Sequence, residues 1–382
     1  MMQQTRTYVI GAIALAAIIG LIWWGVTRQQ NTEPQGSIKI GVIAPLTGVG
    51  SYQAQQAMRG LELARDKINK QGGVNDQNVE LIVEDSKAEP ATATTALNKL
   101  INVDAVKFVI GDVWVSTTVV IVPIANERRV FLLSPIATLN SLSKEDLFFR
   151  TMPTTKDMME PLASYAYNTM GVRRVGILRQ ATPFGVEHAN DFREAFQKLG
   201  GQIVAEESFD LTASDVRTEI SKVKAQNPDA IFNLHATSPR LGLLMKQAKE
   251  LGLTNVKWLG SFGSENGTLV KEYGSVVNGL TYPYSYDPAD KGKGVQTFVA
   301  AYQVKHTDLP DLAAANSYDA LSLLVEAIDE VGEDPQKVKE YFLGLKDYDG
   351  ASGVITFDQN GDVKKPIFIK EIREGQFVRL SK

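Results

Sequence analysis

Short apolar runs alternate along the chain with longer stretches in which apolar side chains recur every three or four positions. "IKIGVIA" (38–44) reads as a buried strand. The stretch 52–71 that follows carries Ala57, Leu61, Ala64 and Ile68 on one helical face. Strands are then expected at 79–85, 107–111 and 129–134, and helices at 91–102 and 116–127. Strand–helix–strand succession with short links predicts a parallel sheet with helices on both faces. The pattern pauses over 148–155 and restarts. Strands at 173–180, 202–209, 229–236 and 256–261 alternate with helices at 185–200, 213–226 and 238–252. Ser214 is the capping candidate for the second of these helices, and Pro239 fits the first turn of the third. A long amphipathic helix is expected over 314–332. Residues 351–372 read as two strands joined by an Asn360-Gly361 turn. The chain therefore holds two successive α/β blocks of similar plan.

Two strands of the first block end in similar chemistry. "KFVIG" leads into "VWVSTT" and "RVFLL" into "SPIAT". In an open parallel sheet, ligands sit beyond the carboxyl ends of the strands. The turns there open helices whose free amides and dipole favour an anion. The candidates are the Val115 and Ser116 amides with the Ser116 and Thr117 hydroxyls, then Ser134, Ile136, Ala137 and Thr138. The plainer alternative is that Ser116 and Thr117 only cap a helix. Trp114 suits either core packing or a cleft wall.

The N-terminus has a different pattern. Residues 8–26 form a run of 19 residues without a charge, which as a helix rises about 28 Å, close to the apolar thickness of a bilayer. Arg6 and Arg28 flank it, and Trp23 and Trp24 lie near its end, as at an interface. An uncleaved signal-anchor is expected. A cleaved signal peptide is the rival, although no convincing small-x-small site follows. Either exports the rest of the chain, with 27–37 as a polar linker.

Composition narrows the classes further. The 382 residues carry a net charge of −4, with 44% hydrophobic and 22% charged residues, so nothing points to nucleic acid. The chain has no cysteine, which excludes disulfides, thiolate catalysis, cysteine-ligated zinc and lipid attachment at a cysteine. His188, His235 and His306 lack metal-ligand spacing, so no metal is expected. No nucleophile elbow, Walker loop or dinucleotide fingerprint occurs. Neither an enzyme nor a cofactor is expected.

"IKIGVIAPLTGVGSY", "GLELARDKIN", "GGVNDQNVELIVEDSKAEPATATTALNKLI", "VKFVIG" and "FLLSPIAT" follow one another as in type I periplasmic solute-binding proteins. From about Ile38 onward the chain resembles the leucine/isoleucine/valine-binding branch of the ABC-transporter receptors. That resemblance implies two doubly wound α/β lobes joined by three crossings, near Arg150–Pro153, Thr281–Tyr284 and Ser352–Thr356. Lobe 1 would comprise 37–151 with 283–353, and lobe 2 would comprise 152–282 with 354–382, after an N-terminal segment 1–36. It also implies that the two turns of the first lobe hold a ligand's carboxylate and ammonium.

The second lobe departs from the amino-acid receptors. Phe262 stands where they carry an acidic residue, and Glu265 follows three positions later. The stretch that often supplies a tyrosine reads His235, Ala236, Thr237. An unpaired buried ammonium is costly, which speaks against an ordinary α-amino acid. Phe262, Phe184 and Tyr52 are suited to enclose an apolar or aromatic body, with Gln53 the rival to Tyr52. His235 reads either as a neutral imidazole facing the ligand or as a satisfied, partly buried histidine.

The expected function is an extracytoplasmic, monomeric receptor that presents a small carboxylate to the permease of an ABC importer. A membrane-tethered ligand sensor on the same fold is the alternative. The roughly seven residues before the apolar run cannot fold into an output module, which favours transport.

Overall fold

The computed structural model describes residues 36–235 and 238–380. The expected anchor at 8–26, residues 27–35 of its linker, and Ala236 and Thr237 lie outside the described residues. Strands β1 (Ser37–Ala44), β2 (Asn78–Asp85), β3 (Phe108–Gly111), β4 (Phe131–Ser134) and β5 (Phe148–Arg150) form one sheet in the order β2-β1-β3-β4-β5. All its pairings are parallel. Helices α1 (Ser51–Lys70), α2 (Pro90–Asn102) and α3 (Val115–Glu127) make the first crossovers. Every residue of β3 and of β4 is buried, which is why they read as unbroken apolar runs rather than alternating ones.

The second sheet repeats the plan. Strands β6 (Arg174–Gln180), β7 (Gln202–Phe209), β8 (Ala230–Leu234), β9 (Lys257–Leu259) and β10 (Leu280–Tyr284) alternate with helices. These helices are α4 (Thr155–Ser164), α5 (Pro183–Lys198), α6 (Arg217–Lys224), α7 (Ser238–Glu250) and α8 (Gly267–Tyr273). Helices α9 (Lys293–Lys305), α10 (Leu312–Val331) and α11 (Pro335–Gly344) return to the first sheet. There α10 packs along α1. Gly60 makes the approach possible, because a Cβ there would lie 2.0 Å from the Ala314 carbonyl oxygen. On α11, Phe342 meets Phe131 and Phe149 with ring centres 5.1 and 5.3 Å apart.

A small ribbon, β11 (Tyr348–Gly350) with β12 (Gly353–Ile355), precedes the last pass into the second sheet. There β13 (Phe368–Arg373) and β14 (Gln376–Arg379) complete the order β14-β13-β10-β9-β8-β6-β7. The chain thus passes between the sheets after β5, after β10 and after β12. The first and third passes are tied together by a buried ion pair. Arg150 Nε donates to Asp362 Oδ1 at 2.6 Å, Nη1 to the Leu139 carbonyl at 2.7 Å, and Nη2 to Ser143 Oγ at 2.6 Å.

Three local expectations change. The helix expected from 213 begins at Arg217, and its N-cap is Val216 without a side-chain cap. Ser214 instead gives its carbonyl to Gln247 Nε2, while Val216 N donates to Gln247 Oε1, so a residue of α7 holds the approach. The two strands read in 351–372 do not pair with each other. β12 pairs with β11 and β13 with β10, because the segment crosses between sheets. Across the local turn Phe357 and Val363 form an isolated bridge, flanked by hydrogen bonds from Asp358 N to the Asp362 carbonyl and from Lys364 N to the Thr356 carbonyl. The pause at 148–155 contains β5 and then the start of α4, capped by a Thr154–Asp157 capping box.

Candidate functional site

The carboxyl ends of the two sheets face one another across a narrow cleft whose volume, counting space open to solvent, is about 350 Å³. It is lined by Gln53 on α1, by Trp114, Val115 and Ser116 after β3, and by Ile136 after β4. From the second sheet come Gln180 and Phe184, at the end of β6 and the start of α5, and Phe262 and Gly263 after β9. Seven of the residues singled out in the sequence therefore converge: Gln53, the rival to Tyr52, with Trp114, Val115, Ser116, Ile136, Phe184 and Phe262. Trp114 precedes α3 as its N-cap residue and forms part of the cavity wall, with only 5% of its surface exposed.

The polar edge of this cavity is the first turn of α3. The amides of Val115 and Ser116 have no carbonyl one turn earlier within the helix. The next two are satisfied locally, since the Thr117 and Thr118 amides both donate to the Trp114 carbonyl. Thr117 does not line the cavity. Its hydroxyl lies 2.5 Å from Asp112 Oδ2 and 2.9 Å from the Trp114 carbonyl oxygen. One hydroxyl proton cannot serve both acceptors. A protonated Asp112 resolves the count by donating to Thr117 Oγ1, which then donates to Trp114. Burial pushes the Asp112 carboxyl up to about 7, against the opposing pull of the Thr117 hydrogen bond. The group beside the anion-favouring turn is thus neutral below that pH.

The second turn is built by Ser134. Its hydroxyl donates to the Asp112 carbonyl at 3.1 Å and accepts from the Ala137 amide at 3.0 Å. The Thr138 carbonyl accepts the Thr155 amide at 2.6 Å and the Thr155 hydroxyl at 3.0 Å, across the first pass between sheets. The Thr138 hydroxyl is buried and has no hydrogen-bond partner among the described residues. An orphan of this kind calls for a reason.

On the second sheet, Phe184 and Phe262 meet edge to face, with ring centres 5.9 Å apart. His188 backs both rings, at 4.0 and 6.3 Å. Its Nδ1 lies 2.9 Å from the Phe184 carbonyl oxygen, and burial pushes its pKa down to about 3. His235 is not among the cavity-lining residues. It stacks on Phe209 with ring centres 5.5 Å apart, and burial first, then the charge of Arg240, pushes it down to about 3. Both imidazoles are therefore neutral supports. Tyr52 lines a neighbouring cavity that shares Gln53 with the inner one.

Glu265 does not replace the acid missing at Phe262. Its carboxylate is engaged by Lys370 Nζ at 2.6 Å and by the Tyr282 hydroxyl at 2.8 Å, in a buried cluster. No carboxylate lines the inner cavity among the described residues. Residues that sequence reading passed over include Gln180 and His188. Gln180 had a usable signal: it is the last residue of β6, in the same place as Gly111 on β3 and Ser134 on β4.

Two α/β sheets with an apolar, amide-edged cavity between their carboxyl ends define a two-lobed small-molecule binding protein. The chain belongs to the periplasmic binding protein family, whose model matches residues 37–376. It is similar to a leucine-, isoleucine-, valine-, threonine- and alanine-binding protein of Pseudomonas aeruginosa, 27% identical over 334 residues, 86% of this chain and 87% of that protein. Among solved structures it is similar to a leucine binding protein from Thermotoga maritima, with a TM-score of 0.86 and 28% identity, covering 90% of this chain and 98% of that one. A solute binding protein of an ABC transporter from R. palustris, in complex with benzoate, shares the fold at a TM-score of 0.82 and 19% identity, covering 91% and 96%.

Proposed function

We propose that this chain is an extracytoplasmic receptor that delivers a small carboxylic acid with an apolar or aromatic body to an ABC importer. The observation that carries the ligand class is the pairing of an amide-edged turn at Val115 and Ser116 with walls of Trp114, Ile136, Phe184 and Phe262, and no carboxylate among the lining residues. Such a site favours an anion at one end and buries hydrocarbon along the rest. An α-ammonium would enter without a countercharge, at a cost of several kcal/mol. The named activities of relatives and neighbours span amino acids and benzoate, so the fold accommodates either class. The deciding comparison is a matched pair. Calorimetry on the full chain should show 4-methylpentanoate binding at least about tenfold more tightly than leucine, which differs by the ammonium alone. Leucine binding more tightly would overturn the ammonium-free assignment.

Thr138 provides a second check. Thr138 is not among the residues lining the inner cavity here, but a hydroxyl kept buried without a partner among the described residues is explained if a ligand oxygen accepts its proton. Thr138→Val keeps the shape and removes the orphan. Carboxylate affinity is expected to fall by about 1–3 kcal/mol, the range for a hydrogen bond to a charged group. Urea unfolding of the ligand-free protein should show equal or higher stability, because nothing in the protein loses a partner. Undiminished affinity would remove Thr138 from the site. Because the cavity draws on both sheets, occupancy is also expected to favour the closed arrangement. Small-angle scattering should then record a smaller radius at saturating 4-methylpentanoate, and an unchanged radius would count against closure.

A further inference from the structure

Outside the inner cavity, and sharing Gln53 with it, lies a second, open cavity of about 620 Å³, counting space continuous with solvent. The stretch Gly48–Gln53 forms one wall, and Pro239, Arg240, Asn266 and Thr268, from the starts of α7 and α8, form the other. It therefore spans both halves of the molecule at the mouth of the binding site. We propose that this outer cavity is a second anion subsite, in which Arg240 takes the far carboxylate of an elongated dicarboxylic acid whose near carboxylate sits at the α3 turn. The proposal rests on the carboxylate reading of the inner cavity.

Arg240 is half-buried in the cavity wall, and its Nη1 donates to the Ala213 carbonyl at 2.6 Å. Among the described residues no carboxylate lies within ion-pairing distance of it. A guanidinium carries five donors in a planar fork suited to a carboxylate. Here the described residues engage one of them, with a neutral acceptor. The charge is felt locally, since Arg240 contributes to holding His235 neutral. Tyr52 stands on the opposite wall. Burial first, then the charges of Asp311 and Asp308, hold its hydroxyl protonated and so available as a donor.

Neither of those two acids matches Arg240. Asp308 is paired with Arg59 at 2.9 Å, and Asp311 caps α10 by accepting the Ala314 amide at 3.0 Å. The run from α3 to Arg240 thus has an anion-favouring turn at one end, aromatic walls in the middle and, at the other end, a guanidinium with no paired carboxylate among the described residues. A monocarboxylate fills only the first two. A molecule with carboxylates at both ends and hydrocarbon between fills all three.

Calorimetry on the full chain, with matched acids, tests this. The probes are benzoate against benzene-1,4-dicarboxylate, hexanoate against hexanedioate, and octanoate against octanedioate. At least one dicarboxylate is expected to bind about tenfold or more tightly than its monocarboxylate partner, the scale of one charge-assisted bidentate pair. Arg240→Gln should erase that gain and leave monocarboxylate affinity unchanged, while Arg240→Lys retains part of it. If monocarboxylates bind and no dicarboxylate gains, or if Arg240→Gln weakens both members of a pair alike, the outer subsite is overturned and the inner reading stands. If no acid of either kind binds, the inner reading fails, and the subsite with it.

Discussion

Asp362→Ala is expected to lower the free energy of unfolding by about 3–5 kcal/mol, the cost of stranding one member of a buried ion pair. Arg150 has no exposed surface, and Asp362 is 4% exposed. The guanidinium also donates to the Leu139 carbonyl and to Ser143 Oγ. The carboxylate, however, is the countercharge that offsets its desolvation. Burial already draws the Arg150 pKa downward, and the charge of Asp362 is the main opposing influence. Without Asp362 the charge stays in place, since a guanidinium does not give up its proton in a protein. The paired variant Arg150→Met, Asp362→Leu should recover most of the loss, because two apolar side chains carry no desolvation cost. Urea unfolding of the three proteins measures both effects. A single variant within about 1 kcal/mol of the parent would show that the pair does not bear the load ascribed to it.

Stability should also fall as the pH rises toward 8, and Asp112→Asn should remove a large part of that fall. A carboxyl whose folded pKa is raised binds its proton more tightly in the native state than in the unfolded chain. Its contribution is complete below an ordinary carboxylate pKa of about 3.9 and is lost as the pH rises through the folded value. For Asp112 that value is about 7, so the span corresponds to about 4 kcal/mol. Asp311, pushed up to about 7 chiefly by its own burial, slopes the same way, so the variant keeps a residual dependence. An asparagine amide can still donate to Thr117 Oγ1, which preserves the turn. Affinity for 4-methylpentanoate should decline over the same range in the parent, as a negative charge develops beside the α3 turn, and should hold in Asp112→Asn. Superimposable pH profiles of parent and variant would mean that Asp112 is ionised throughout.

The first sheet was highly legible. Its first four strands end where they were expected, at Ala44, Asp85, Gly111 and Ser134, and β3 and β4, buried throughout, leave a continuous apolar signature. The walls of the inner cavity were legible for a related reason. Residues directly after a parallel strand must lie at its carboxyl edge whatever the rest of the chain does. The choice between Ser116 and Thr117 was not. They are adjacent on α3, and a single helical step of about 100° separates a cavity wall from a contact with Asp112. Gln180 was overlooked because its one signal, its place at the end of β6, is shared by any polar residue that ends a strand.

Although the turn after β4, also read as a helix start, opens no α-helix, the sequence by itself determined the alternation of strands and helices, the two-block plan and the position of the helix-start turn of α3. Each of these depends on local periodicity, chain direction and the fixed chemistry of a helix start. Tertiary structure alone decided the pairings. Glu265 belongs to Lys370, 105 residues later, and Arg150 to Asp362, 212 residues later. β13 joins β10 rather than the strand before it, and among the described residues no carboxylate pairs with Arg240 at the mouth of the cleft. A charge or a strand edge carries no mark in the sequence of the partner it will meet. That partner is whichever group the packed sheets bring within a few ångströms once water has been excluded.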